Sequence, residues 1–153
     1  METYKKVIIR NIRIQDSKQI WKIRNHPRIR KAAFTSEPIS LEIHQSWFGT
    51  YLSASKNIFW VLELVPPKVI GYCRYDFAQD HYKVSIAIDP IYHGLGYGLY
   101  FLSETLSSMK RFSLPIMAFV KPDNVASLRL FRKSYFQIYQ QKSDVIEFRY
   151  NFN

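Results

Sequence analysis

At 153 residues the chain has the length of one domain with room for a buried core, and 47% apolar and 16% aromatic content with only 5 glycines and 7 prolines excludes a disordered or low-complexity protein. Lys and Arg number 22 against 12 Asp and Glu, a formal charge of +10, which favours anionic partners without choosing among nucleic acid, acidic membrane and phosphorylated small molecules. The single cysteine, Cys73, excludes an internal disulfide, no run approaches the roughly 18 apolar residues of a membrane span, and Arg10 and Arg13 interrupt any signal-like core, so a cytoplasmic location is expected.

In chain order, "KVIIRNIRI" alternates apolar and basic residues with β-branched enrichment and predicts a strand with one face buried. Asp16 then offers an N-cap for a helix over "SKQIWKIRN", whose Ile20, Trp21 and Ile23 share a stripe, and Pro27 favours a stop. Ser40 starts a second helix that places His44, Trp47, Phe48 and Tyr51 on one face. "NIFWVLEL" and "VIGYCRYDF", divided by Pro66 and Pro67, predict an antiparallel hairpin, and "YKVSIAID" a further strand. A helix over "GYGLYFLSETLSSMKRF", a strand over "PIMAFVK", a helix over "NVASLRLFRKS" and two closing strands, "FQIYQQ" and "VIEFRYNF", complete the order. This is a mixed α/β (α+β) chain with three neighbouring antiparallel strands and a parallel crossover in its second half.

The stretch "IDPIYHGLGYG" sets Gly94, Gly96 and Gly98 between the fourth strand and the helix that follows. Such a loop exposes backbone N–H groups at the positive end of a helix dipole, a cradle for phosphate or pyrophosphate. A tight strand-to-helix turn is the plainer alternative. Neither the P-loop pattern nor the dinucleotide fingerprint is matched, since Leu99 stands where the latter continues towards its third glycine.

With Pro90, Gly96 and Gly98 in register, "SIAIDPIYHGLGYGLYFL" resembles the signature loop of the GNAT superfamily of N-acetyltransferases, and "VKPDNVASLRLFRKSYF" is similar to that superfamily's late helix. The resemblance implies one domain over residues 1–153, a mixed central sheet with a splayed, bulged fourth strand, four helices, and acetyl-CoA as the acyl donor. It places the donor against Ile86, Ala87 and Ile88, against His93, Gly94, Leu95, Gly96, Tyr97, Gly98 and Leu99, and against Asn124, Ser127 and Phe131. By register the N–H of Ile86 polarises the acetyl carbonyl, as an oxyanion-hole donor does. His93 replaces the usual Gln or Arg, and Phe131 replaces a tyrosine able to protonate the leaving sulfur. Tyr135, one turn on, is the substitute, with packing at a helix end as its alternative.

The first half, "IWKIRNHPRIRKAAFTSEPISLEIHQSWF", resembles the branch that acetylates a nucleotide-linked 4-amino sugar on the route to pseudaminic acid, through Trp21, Arg24, Asn25, Arg30, Ile39 and His44. The resemblance implies a small anionic, amine-bearing acceptor. Arg24, Asn25, Arg30 and Lys31 would meet its polar groups, Trp47 or Tyr75 its base, and His44 would act as base or orienting group. Core packing is the alternative for Trp21 and Trp47, a salt bridge for Arg24, and a structural role for His44. Asp76, Asp80 and His81 are secondary candidates. The histidines lack ligand spacing and no metal is expected. Rival readings are acetylation of a protein N-terminal amine, an inactive acyl-CoA binder, and a basic nucleic-acid module, the last without any standard motif. Neither nucleic acid nor membrane is expected as a partner, and the chain is expected to be a monomer or homodimer.

Overall fold

The computed structural model describes residues 6–54 and 56–153. Its strands are β1 (Val7–Asn11), β2 (Ile58–Leu64), β3 (Lys68–Phe77), β4 (Tyr82–Ile88), β5 (Ile116–Val120), β6 (Gln137–Gln141) and β7 (Ile146–Tyr150). Its helices are α1 (Ser17–Arg24), α2 (Pro27–Ala32), α3 (Leu41–Ser53), α4 (Tyr97–Met109) and α5 (Val125–Lys133). The seven strands form one mixed sheet in the order β1-β2-β3-β4-β5-β7-β6. All neighbours are antiparallel except β4 and β5, the parallel pair joined through α4.

Both faces of the sheet are covered, which is why its central strands read as nearly unbroken apolar runs. On one face Phe101, Leu102, Leu106 and Met109 of α4 and Phe131 of α5 pack against Leu62, Ile70, Tyr75 and Phe148. On the other, Ile20 and Ile23 of α1 and Tyr51 of α3 pack against Phe59, Val61, Val69 and Tyr72. The period of two therefore sends Tyr72 and Tyr75 of one strand to opposite cores.

Pro27 starts a helix instead of only ending one. It occupies the first position of α2, where its fixed φ suits the turn and its missing N–H costs nothing, and Nδ1 of His26 accepts the Arg28 N–H at 3.1 Å. This adds a fifth helix to the four expected. Ser40 caps α3 as expected, its Oγ accepting the Ile43 N–H at 3.2 Å. The Asp16 carboxylate does more than precede α1. It accepts the Arg13 N–H at 2.7 Å and two bonds from the Arg10 guanidinium at 2.8 and 2.9 Å, while Arg10 also donates to Glu63 at 2.8 Å.

The fourth strand is splayed. It pairs with β3 from Phe77↔Tyr82 to Gly71↔Ile88 without a register shift, but with β5 only at Tyr82↔Ile116 and Lys83↔Met117. The expected bulge lies elsewhere: β2 and β3 shift at Leu62/Glu63, and β6 and β7 at Ile138/Gln140. Gly71 permits the close β3–β4 pairing at the far end of the splay, since a Cβ there would stand 2.6 Å from Ile88 Cδ1 and 2.9 Å from the Ala87 carbonyl oxygen. Ile88 Cδ1 can rotate away, but the Ala87 backbone cannot. Gly71→Ala is accordingly expected to lower unfolding free energy by about 1–3 kcal/mol in urea titration by displacing β4. An unaltered unfolding midpoint would show that β4 absorbs the methyl without moving.

Candidate active site

The hydrogen-bond parity of β4 decides which backbone groups face the splay. The Asp89 N–H bonds the Ile70 carbonyl of β3 at 2.7 Å, and the Tyr82 N–H bonds the Pro115 carbonyl on the β5 side at 3.0 Å. Because bonding direction alternates along an antiparallel strand, Val84, Ile86 and Ile88 direct their N–H and C=O groups away from β3. Beyond Lys83 no β5 residue pairs with them, so these groups open into a gap. A cleft of about 740 Å³ occupies that gap. One wall is β4, from Lys83 to Ile88, and the opposite wall includes Phe119, Val120, Asn124, Ser127, Leu130 and Phe131.

At one end stands the glycine loop. Gly94 and Gly96 have φ of 75° and 86°, a left-handed region open to glycine and strained for other residues, and Gly96 is the N-cap of α4. His93, Gly94, Gly96, Tyr97 and Gly98 line the cleft there. Leu95 and Leu99 are absent from that lining and are 56% and 37% exposed. The ring of His93 turns inward: because a carbonyl can only accept, Nε2 donates to the Ile88 carbonyl at 2.7 Å. Asn124 caps α5, its Oδ1 accepting the Ser127 N–H at 3.2 Å.

The end of the cleft away from the glycine loop is built by a pinned loop. Trp21 Nε1 donates to the Ile39 carbonyl at 2.6 Å, Asn25 Oδ1 accepts the Ile39 N–H at 2.9 Å, and Arg30 donates to the Asn25 and Ser36 carbonyls, both at 3.0 Å. Three residues of the first-half pattern, Trp21, Asn25 and Arg30, thus hold the 33–39 segment, whose Phe34, Thr35, Glu37 and Ile39 form cleft wall. Asn25 shapes that wall without lining it. Lys121 closes the rim, its Nζ donating to the Lys31 carbonyl at 3.0 Å.

Several expected site residues lie elsewhere. His44 is fully buried between α3 and the start of α1, its Nε2 donating to the Ser17 carbonyl at 3.0 Å and its ring packed on Trp47 and Phe48. It does not line the cleft, and an amphipathic face alone could not separate a packed from a presented imidazole. Burial, then the Arg24 charge, lower its pKa. Tyr75 is buried in the opposite core with its hydroxyl 2.8 Å from that of Thr105, so it cannot stack on a base. Tyr135 is 84% exposed at φ 67° just after α5 and is absent from the cleft lining, which does not support it as the substitute proton donor. Phe131 does line the cleft, its ring 4% exposed and packed on Phe136 and Phe148. Trp47 is also absent from the lining; its ring carries the guanidiniums of Arg24 and Arg74 at 4.7 and 5.0 Å. Of the secondary candidates, Asp76 accepts the Tyr51 hydroxyl, and Asp80 pairs with His81 at 2.7 Å on the surface.

Tyr72, Arg74, Lys83 and Phe34 line the cleft without having been singled out. A signal was present for the first two. The alternation Tyr72, Arg74, Asp76 gives the outer half of β3 a polar second face, unlike the apolar one carrying Cys73 and Tyr75.

Comparison with known proteins bears on this geometry. The family model of the acetyltransferase (GNAT) domain matches residues 6–137. The chain belongs to the GNAT acetyltransferase family. No curated protein sequence matches it closely enough to count as a relative. Similar folds include an N-acetyltransferase from Staphylococcus aureus Mu50, with TM-score 0.82, 21% identity, 95% of this chain and 98% of that one covered. The yncA protein of Salmonella typhimurium, with its cofactor acetyl-CoA, has TM-score 0.80 and 19% identity over 96% and 94%. Spermidine N-acetyltransferase from Vibrio cholerae, in complex with CoA and spermine, has TM-score 0.83 and 17% identity over 95% of each chain. This GNAT domain is an acyltransferase that uses acetyl-CoA, and the open backbone of β4 beside a glycine cradle fits that group. Among the described residues no helix is long and apolar enough to cross a membrane.

Two measurements follow. Gly96→Ala forces a side chain into the left-handed region and should weaken CoA binding about 10-fold by calorimetry while costing about 1 kcal/mol of stability; equal affinity would remove the loop from the binding surface. His44→Ala should cost about 3 kcal/mol of stability and leave the pH profile of acetyl transfer unchanged. Because the folded protein holds His44 neutral more firmly than the unfolded chain does, its contribution is intact above about pH 6.5 and is lost as pH falls below it. A lost acidic limb in the variant's rate profile would restore His44 to the chemistry.

Proposed function

We propose that this GNAT acetyltransferase acetylates the amine of a nucleotide-linked amino sugar, of the UDP-4-amino-4,6-dideoxy type, by direct attack of the amine on the thioester. The supporting observation is the charge of the acceptor half of the cleft: Arg24, Arg28, Arg30, Arg74 and Lys83 line it against one carboxylate, Glu37. A doubly esterified diphosphate suits that lining, and the exposed ring of Phe34, 54% accessible, offers a face for a base where Trp47 and Tyr75 do not.

Acetyl-CoA supplies an activated acyl group as its thioester. The chain's own groups supply the rest. The Ile86 N–H, directed into the gap, is a donor held ready for a carbonyl oxygen, with no reorganisation needed when negative charge develops there. The Ile88 N–H is free to pair with an extended amide-bearing arm laid along β4 as an added strand, while its carbonyl is already taken by His93. The N–H groups of the Gly94–Gly98 loop and the first turn of α4 suit a pyrophosphate. Ala87, Asn124, Ser127 and Phe131 shape the groove between. With Phe131 unable to donate a proton, the departing thiolate, whose reference pKa is about 8.5, leaves without a tyrosine in that position.

A protein α-amine is the second reading. Basic N-terminal segments would be repelled by the arginines, as would a polyamine such as the spermine bound in the Vibrio cholerae structure. Mass spectrometry of the protein with acetyl-CoA and a panel of UDP-linked 4-amino sugars, UDP-linked 3-amino sugars, basic peptides and spermidine is expected to yield one acetylated nucleotide sugar. An acetylated peptide or polyamine as the product would overturn the acceptor assignment while leaving the acetyltransferase intact.

A further inference from the structure

Two cations converge on one aromatic ring at the acceptor end. The Arg24 guanidinium lies 4.7 Å and the Arg74 guanidinium 5.0 Å from the centroid of the Trp47 ring, and both arginines line the cleft. Arg24 closes the last turn of α1, whose Ile20 and Ile23 are seated in the second core, so the backbone that carries it is fixed. Arg74 is carried by β3 directly opposite Ser85, the residue before Ile86. The end of the first helix and the strand paired with β4 thus present their charges to the same space.

The balance of charge there is unusual. Among the described residues Arg24 has neither a carboxylate nor any hydrogen-bond partner, and Arg74 has one carboxylate oxygen, of Asp76, at 3.4 Å. That carboxylate is shared with the Tyr51 hydroxyl. Burial, with the Arg74 charge opposing it further, makes Arg24 a less comfortable cation than a solvated arginine. Indole attraction offsets part of the mutual repulsion but leaves the fork donors of Arg24 unused. A guanidinium held half-buried, beside a like charge, with its donors open to a cleft is a preformed receptor for an oxyanion.

We propose that Arg24 and Arg74, set against Trp47, form a twin-guanidinium clamp for a phosphate-type oxyanion of the acceptor and so make the enzyme selective for anionic amines. This rests on the nucleotide-linked reading given above and assigns its diphosphate to a defined pair of residues. Trp47 is then a platform that positions the clamp, and Arg30, whose donors tie the 25 and 36 carbonyls, is a positioning residue for the wall.

Calorimetry on protein saturated with CoA, which fills the glycine cradle, tests the clamp with UDP, inorganic pyrophosphate and uridine as probes. UDP and pyrophosphate should bind and uridine should not. Arg24→Gln and Arg74→Gln should each weaken UDP at least about 10-fold, as loss of a charge-assisted bond predicts, with CoA affinity unchanged. Arg24→Lys and Arg74→Lys, which keep the charge and lose the fork, should weaken it about 3-fold. If a glutamine variant also loses CoA, it has failed to fold and the lysine pair decides. Wild-type affinity for UDP in the variants that retain CoA overturns the clamp, as does uridine binding as tightly as UDP. Acetylation of the nucleotide sugar with unchanged KM in the variants would end the clamp alone; failure of wild-type protein to acetylate any nucleotide sugar would end the acceptor reading and the clamp with it.

Discussion

The divergence of β4 from β5 after two paired residues is the constraint on which the rest of this molecule depends. A parallel pair that stayed together would satisfy the N–H and C=O groups of Val84, Ile86 and Ile88 and leave nothing for a ligand. Instead β5 spends its other edge on β7, with five paired residues, and swings away. The sheet is held on each side of the split by full ladders, β3 with β4 and β5 with β7, so the gap is a rigid feature of two well-paired halves. Unpaired backbone is tolerated because the cleft exposes it to solvent or ligand.

The wall formed by residues 33–39 obeys a similar logic at the level of side chains. Its residues lie on a segment of irregular backbone, which becomes a surface of fixed shape only because Trp21, Asn25 and Arg30 tie its carbonyl and amide groups. Those ties require α1 to sit in one place. The buried Arg10 ion network, joining β1, the approach to α1 and β2, holds it there. Asp16 shows the balance of forces: burial alone would raise its pKa, yet the bonds from Arg10 and the Arg13 N–H outweigh it and the net shift is downward. Such a pair adds little net stability but is costly to break, and here it sets the helix that carries Arg24.

Much of the donor side was legible in the linear chain. The apolar run before Asp89, the glycines at 94, 96 and 98, and the start of α4 are consequences of local conformation, and local conformation is what periodicity and glycine placement report. The element order was also legible, apart from α2, where a proline that can either end or begin a helix began one. The opposite end of the cleft was legible only as a group of residues without their roles. Arg24, Arg30 and Asn25 stand out in the sequence as a group, yet Asn25 and Arg30 hold a wall and Arg24 lines the cleft with no hydrogen-bond partner among the described residues. His44 and Tyr75 carry chemistry that suits an active site and occupy cores that do not touch it.

By itself the sequence determined the class of the fold, the strand-to-helix cradle and the excess of positive charge, because these follow from spacing, backbone freedom and summed charge. Only the tertiary structure decided which of two neighbours in β3 serves the cleft. Arg74 and Tyr75 are adjacent, and the period of two must send them to opposite faces. Which face meets the site depends on where α1, α3, α4 and α5 settle and on where β4 parts from β5, and those are contacts between residues far apart in the chain.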